Sequence, residues 1–510
     1  MRNQMTKIKF TMALHKRHVF SLFLYFLTAL FSFAQTYEAR WDQLISHKTP
    51  EWFKDAKFGI FVHWGVYSVP AYNGVGFYAE WYPRDMYRSN HDSYDHHVKS
   101  YGSPGVFGYA DFIESFTARR WDPKRWAKLF KQSGAKLVVP VAEHHDGFAM
   151  WDSQLTIWDA KDKGPKRDII GDLGKAVRAE GLKYAPSYHR ERHFAYYLDH
   201  QQKWLDGTPF SGIKEELKRH PERSEFYGPF TLSDAFIKDY RARWDEICDK
   251  YKPDMMWFDG INIFKFHPTH PQVVKFKDTL RFMVADYLNK GLKWNKQLLV
   301  NNKGQGPNFP LDFGVLEQDY MVKKDIPGYE WICSRGMGTS YGINFVEDKD
   351  GLYPSVDELI ELLIDVCSKN GFFLLNIGPN ADGTISQHQQ LRLRGIGQWL
   401  EANGEAIFNT RPWKTYGSDN VRYTCKGDDL YVFVLTHPGM YLFLDDELIN
   451  FKKDTEIIWL QTKEKVKWRK SHMGDGVGLK LPLRQNTDPG NPLNAAHVFK
   501  IVGGAKKIKK

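Results

Sequence analysis

The sequence predicts an α/β fold: a (β/α)8-like, TIM-type barrel followed by a C-terminal β-sandwich. Between about 45 and 400, short apolar strands alternate with amphipathic helices, as in a parallel sheet with helical crossovers. An open doubly wound sheet shares that alternation, but no Gly-rich phosphate turn follows any strand, which favours the barrel. After Arg411-Pro412-Trp413 the texture changes to short strands between turn-rich pieces such as Lys426-Gly427-Asp428-Asp429, as in a small all-β unit.

The six clearest barrel strands are 58–64 (FGIFVHW), 136–142 (KLVVPVA), 182–188 (LKYAPSY), 254–259 (DMMWFD), 297–301 (QLLVN) and 372–377 (FFLLNI). Two of the helices between them have legible starts. Asp122-Pro123 offers an N-cap and a proline at the first helical position ahead of Trp126, Leu129 and Phe130. Ser355-x-x-Glu358 is a capping box ahead of Leu359, Leu362, Leu363 and Val366, and Gly371 ends that helix. Past the barrel, 421–425, 430–435, 440–444 and 456–460 read as sandwich strands. The expected organisation is a secretory signal over 1–34, a catalytic barrel over 35–410, the sandwich over 415–503 and a basic tail over 504–510.

Composition excludes several classes. With 17 Trp, 26 Tyr and 35 Phe in 510 residues the chain can bury a large core, so it is not disordered. Four cysteines without a C-x-x-C are too few and scattered for a disulfide framework or a zinc ribbon, and are expected to be core thiols, a single bridge being the alternative. Residues 1–18 carry Arg2, Lys7, Lys9, Lys16 and Arg17 and no acid; the apolar run 19–33 and Ser32-x-Ala34 follow, giving the three parts of an export signal. The absence of any Asn-x-Ser/Thr sequon leans towards a bacterial, periplasmic or extracellular destination. No later stretch is apolar enough to span a membrane. The formal charge of +10 falls to +5 without residues 1–34, and four tail lysines account for most of the rest. Nothing remains of the basic stripe that nucleic-acid binding needs.

Functional side chains of a parallel barrel project from the C-terminal ends of its strands. Here those ends deliver His63, then Glu143-His144-His145-Asp146-Gly147, Tyr188-His189, Asp259-Gly260 and Asn301-Asn302-Lys303, with Asp312 and Glu317 downstream and Glu80-Trp81-Tyr82 near the first strand. Two chemistries use such a set. His63, His144, His145 and Asp146 are residue types that hold zinc or manganese. Against that, neighbours on a strand face opposite ways, so His144 and His145 share a site only if the strand has already ended. The other chemistry is glycoside hydrolysis, which needs two carboxyl groups, hydrogen-bonding partners for hydroxyls and aromatic faces for the ring. Asp259, set by its strand and followed by a small residue, suits the nucleophile; an N-cap role is the competing explanation.

The segments 51–65 (EWFKDAKFGIFVHWG), 80–87 (EWYPRDMY), 143–152 (EHHDGFAMWD), 164–181 (GPKRDIIGDLGKAVRAEG), 254–260 (DMMWFDG), 370–384 (NGFFLLNIGPNADGT) and 403–413 (NGEAIFNTRPW) resemble, in order, the retaining α-L-fucosidases of glycoside hydrolase family 29. The resemblance implies Asp259 as nucleophile and, from the Asp312-Phe313 pair just upstream, Glu317 as acid/base, with Glu330 and Asp319 as the other carboxyls for that role. It implies that His63, Glu80, Trp81, His144, His145, Tyr188, Trp257, Lys303 and Tyr341 bind the sugar. Metal and cofactor are not expected. The implied substrate is a fucosylated oligosaccharide or polysaccharide, sulfated or not, and Lys303, Arg190 and Arg192 are the basic residues that could meet a sulfate. Three positions depart from the family's pattern: Lys303 in place of Arg, Glu143 in place of a basic residue, and Ser187-Tyr188-His189 in place of Tyr-Tyr-Ser. A lectin-like barrel that binds fucose without turning it over is the alternative from another class.

Overall fold

The computed structural model describes residues 36–199, 205, 207–260, 263–304, 308–435, 441–444, 448–470, 476–481 and 491–505. The expected signal at 1–34 and the lysines at 506–510 lie outside them. Among the described residues no helix is long and apolar enough to cross a membrane.

Strands β1 (Phe58–Val62), β2 (Leu137–Glu143), β3 (Lys183–Tyr184) with β4 (Ser187–Tyr188), β5 (Met255–Met256), β6 (Leu299–Lys303), β7 (Val315–Asp319), β8 (Trp331–Gly336) and β9 (Gly371–Ile377) form one parallel sheet. β3 and β4 are two halves of one stave, parted at Ala185-Pro186, so there are eight staves. The ends of the sheet meet where Tyr188 N–H donates to Trp257 O (2.9 Å) and Tyr188 bridges Phe258 in parallel. That closes the barrel. Among the helices are α1 (Pro123–Gln132), α2 (Ile169–Ala179), α3 (Ser211–Arg219), α4 (Asp234–Tyr251), α5 (Pro271–Trp294), α6 (Val356–Ser368) and α7 (Gln387–Asn403). Asp122 caps α1, and the Ser355/Glu358 box closes on α6, as their sequences require. The β7–β8 connection contains no helix, and the described part of the β6–β7 connection contains none.

Strand periodicity decides what faces inward. Phe61, Val139, Val141, Ala185, Met255, Trp257, Leu299, Val315, Ile332, Phe372 and Leu374 form one buried cluster inside the barrel. Their neighbours, such as Ile60, Val62, Val138, Val300 and Phe373, pack outward against Leu173 and Val177 of α2 and Leu359 and Leu363 of α6. β7 and β8 were not among the legible strands, because VLEQD and WICSRG lack an apolar run.

The described residues beyond 410 form two antiparallel sheets from strands β10 (Arg411–Ser418), β11 (Val421–Lys426), β12 (Asp429–Val434), β13 (Tyr441–Leu444), β14 (Ile457–Trp459), β15 (Glu464–Lys465), β16 (Lys467–Lys470), β17 (Val477–Lys480) and β18 (His497–Ile501), ordered β10-β11-β12-β18-β14-β15 and β13-β17-β16. Leu430, Val432, Trp459 and Phe499 of one sheet and Leu442, Leu444, Val477 and Leu479 of the other share a core, so the two stack as a sandwich. Arg411 ties the sandwich to Glu51 and Asp55 (both 2.8 Å), and Arg422 ties it to Asp365 (2.5 Å). All four cysteines are free thiols.

Candidate active site

Above the apolar layer, the next inward positions of each strand are polar. Counting by two from Phe61, Trp257, Leu299, Val315, Ile332 and Leu374 gives His63, Asp259, Asn301 and Lys303, Glu317 and Asp319, Ser334, and Asn376. These form one ring at the C-terminal end of the barrel.

Lys303 is its hub. Its Nζ lies 3.1 Å from Asp259 Oδ1, 3.0 Å from Glu317 Oε2 and 2.9 Å from Asp319 Oδ1. The Asp259 and Glu317 oxygens are therefore no further apart than those two distances end to end. Burial pushes the Asp259 carboxyl up, but Lys303 and His145 hold it well below its ordinary value, so it is ionised. Glu317 is fully buried and accepts from Ser334 Oγ (2.5 Å); burial outweighs Lys303 there and raises it to about 8, so it is protonated at neutral pH. Asp319 accepts from the Tyr341 hydroxyl (2.9 Å) and, despite burial, is held low by Lys303.

The imidazoles line the opposite wall. His63 Nδ1–H donates to Asn376 Oδ1 (2.6 Å), leaving Nε2 free, and burial drops its pKa to about 4. β2 ends at Glu143, so His144 and His145 both turn inward, their rings 4.5 Å apart. His145 Nδ1–H donates to His189 O (2.6 Å) and its Nε2 faces Asp259 Oδ2 at 3.2 Å. Burial holds His144 and His145 below the ordinary histidine value. Glu80 accepts from Gly342 N–H (2.7 Å) and Ser340 Oγ (3.3 Å), and burial raises it to about 7. Trp81 stands edge-on to His145 at 5.6 Å, and Tyr341 lies 4.9 Å from His63. Trp257 is buried below Asp259, inside the barrel.

Among the described residues, two clusters could present nitrogen or oxygen atoms to a cation, each within 4.8 Å: His63, His144 and His189, or His145, His189 and Asp259. The same positions suit the hydroxyls of a sugar, since neutral imidazole both donates and accepts.

The model of the α-L-fucosidase family matches residues 26–405. The chain belongs to the α-L-fucosidase family, glycoside hydrolase family 29. It is 32% identical over 481 residues to tissue α-L-fucosidase of Rattus norvegicus (91% of this chain, 92% of that one) and 31% identical to the Homo sapiens enzyme, over 92% of each. Among solved structures, Thermotoga maritima α-fucosidase in complex with a mechanism-based inhibitor superposes with a TM-score of 0.73 at 31% identity, covering 91% of this chain and 100% of that one.

Within this fucosidase scaffold most of the sequence-expected residues converge, but Tyr188, Glu330 and Arg190 do not, and Asp146, which accepts from the Tyr109 hydroxyl (2.7 Å), belongs to neither candidate cation cluster. Tyr188 points away from the barrel axis: its hydroxyl donates to Tyr240 O (3.1 Å) and its ring packs on Tyr240 and Trp244 of α4. Parity explains this, since Ala185, Ser187 and His189 share the inward face, and the His189 ring stands 5.4 Å from His144. Glu330 immediately precedes β8, at the end of the barrel remote from the site, and acts there on Lys57 just ahead of β1. Sequence reasoning also missed Asn376 and Ser334, which counting by two from Phe372 and Ile332 would have found. Arg190 is not free for a sulfate: it pairs with Glu143 (2.5 Å) and Asp239 (2.8 Å), and Arg243 joins Glu143 at 3.5 Å. That buried network accounts for the acidic residue at 143. Lys303 is likewise consumed by three carboxyls, so of the three basic residues only Arg192 stays partly available, 3.9 Å from Asp259.

Proposed function

We propose that the protein is an exported, retaining exo-α-L-fucosidase that removes terminal α-L-fucose from glycans by double displacement. Asp259 attacks the anomeric carbon while Glu317 gives its proton to the leaving oxygen, and a covalent fucosyl-enzyme forms. Water, deprotonated by Glu317, then attacks the same carbon, so configuration is retained. The observation that carries this reading is the opposed charge state of two carboxyls around one lysine: Asp259 ionised, Glu317 protonated. Their shared contact with Lys303 admits the spacing of about 5–5.5 Å that retention needs.

His63, His144, His145, Glu80 and Trp81 bind hydroxyls and ring, Tyr341 flanks the sugar, and Trp257 forms the floor. Export rests on the 1–34 signal, and the division into a barrel over 35–410 and a sandwich over 415–503 is part of the same reading. Asp259→Gly should abolish turnover of an aryl α-L-fucoside, and NMR of the first-formed fucose should show the α anomer. A β anomer as the first product, or substantial turnover by Asp259→Gly, sinks the mechanism. Azide rescue of Glu317→Ala, set beside Asp319→Ala, tests the acid/base, and N-terminal sequencing of the exported protein tests cleavage before Gln35.

A further inference from the structure

Beside the sugar site opens a cleft of about 1230 Å³ that no part of the fucose machinery explains. Trp81 and Arg192 line it and also border the site: the Arg192 Nε–H donates to Gly260 O (3.2 Å), next to the nucleophile. In an exo-acting enzyme, what lies beyond the anomeric centre is the leaving group.

Two independent features give the cleft a chemical preference. The first is Arg84, only 5% exposed yet poorly neutralised. Among the described residues its Nε has no partner, and its only ion pair is a 3.4 Å contact with Asp85. That carboxylate is already shared with Arg88 (3.0 Å) and Asn73 (3.1 Å). A buried guanidinium with spare donors is costly unless something anionic meets it. The second feature is the amino end of α3, where Ser211 and Gly212 line the cleft. Its N-cap residue is Phe210, which has no side-chain acceptor for the free N–H groups, and Arg84 lies 5.4 Å over the Phe210 ring. A helix N-terminus attracts negative charge through those N–H groups and its dipole. Arg88 and Lys214 add positive charge to the walls, while Asp85, Asp199 and Glu215 add negative charge. The preference therefore comes from the two directed features and not from net charge.

We propose that this cleft is a leaving-group subsite for an anionic sugar, whose sulfate ester or carboxylate is held between Arg84 and the amino end of α3. The inference rests on the fucosidase reading of Asp259 and Glu317 and names the substrate class of that site. Trp81, at the junction, would carry the sugar face between the two.

The test is kcat/KM of the full-length enzyme on matched disaccharides in which fucose is linked to galactose, to sulfated galactose or to galacturonic acid, with an aryl α-L-fucoside as the control whose leaving group is not a sugar. One anionic disaccharide should be cleaved at least ~10-fold better than the neutral one, the size expected of a charge-assisted hydrogen bond; which arm wins identifies the anion. Arg84→Gln should erase that preference with aryl fucoside turnover within about twofold of wild type. Because Arg84 is buried, Ser211→Asp serves as a second variant: an acid at a helix start favours the helix but competes with a bound anion, and it too should erase the preference. Equal cleavage of neutral and anionic disaccharides, or a preference that survives Ser211→Asp, overturns the inference. Failure on every substrate, the aryl fucoside included, overturns the catalytic reading and this inference with it.

Discussion

Lys303 Nζ stands 3.1 Å from Asp259 Oδ1, and the charge states of both proposed catalytic carboxyls depend on that cation. Arginine would present a planar fork at this point, whereas the lysine ammonium is a compact charge that reaches Asp259, Glu317 and Asp319 together. Lys303→Met should cut kcat/KM by ~10²-fold or more, since it removes the one ammonium that Asp259, Glu317 and Asp319 share. It should also move the acidic limb of the pH profile upward. Lys303 lowers the Asp259 pKa, so its removal raises the pH at which the nucleophile ionises. A profile whose acidic limb stays in place would refute the hub role.

As the proposed acid, Glu317 must hold a proton when the leaving group departs, and burial pushes its pKa up to about 8. kcat/KM should therefore decline as pH rises through about 8. Glu317→Ala should slow fucosides with poor leaving groups far more than activated aryl fucosides, which need little protonation.

Asn376 fixes the His63 ring by accepting from Nδ1 (2.6 Å), and its own amide donates to Tyr341 O (2.6 Å). Asn376→Leu frees the imidazole to rotate and strands a buried carbonyl. The expected loss is roughly 1–3 kcal/mol in kcat/KM, with the fold intact by circular dichroism. Titration calorimetry with fucose should show the same weakening.

Glu143 accepts from Arg190 and lies 3.5 Å from the Arg243 guanidinium in a site closed to water. Glu143→Ala leaves two guanidinium groups facing Asp239 alone. The cost should be about 3–5 kcal/mol, read as a lower denaturant midpoint, whereas substitution of the exposed pair Arg40–Asp42 should cost at most ~1 kcal/mol.

Stability should fall between pH 6.5 and 8.5. Glu80 and Asp146 are raised to about 7 and Glu317 to about 8, so the folded chain holds protons there that the unfolded chain has released. Their contribution is complete below the ordinary carboxyl range and is lost as pH rises through the folded values. The buried imidazoles act in the other direction. His63, lowered to about 4, contributes stability that is lost as pH drops below about 6.5, where only the unfolded ring gains a proton. Thermal melts across that range should show the alkaline decline, and Glu80→Gln should flatten part of it.

Much of this molecule was legible before folding. Strand and helix alternation specified the barrel, capping residues marked the helix starts, and residues at strand ends supplied Asp259, His63 and Lys303. β7 and β8 escaped notice for a physical reason: Glu317, Gln318, Asp319 and Ser334 interrupt the apolar run by which a buried strand is recognised. Function erased the signal of the elements that carry it.

The sequence by itself determined the strand-end position of Asp259, the proposed nucleophile, and the periodicity that aims it inward, because these are local properties of a pleated chain. Only the tertiary structure decided that Tyr188 faces α4 while His189 enters the site, that Arg190 is spent on Glu143, and that one lysine prevails over burial at Asp259 while burial prevails over the same lysine at Glu317, 58 residues away in sequence. Burial and through-space charge set those outcomes, and both depend on which strands become neighbours when the barrel closes.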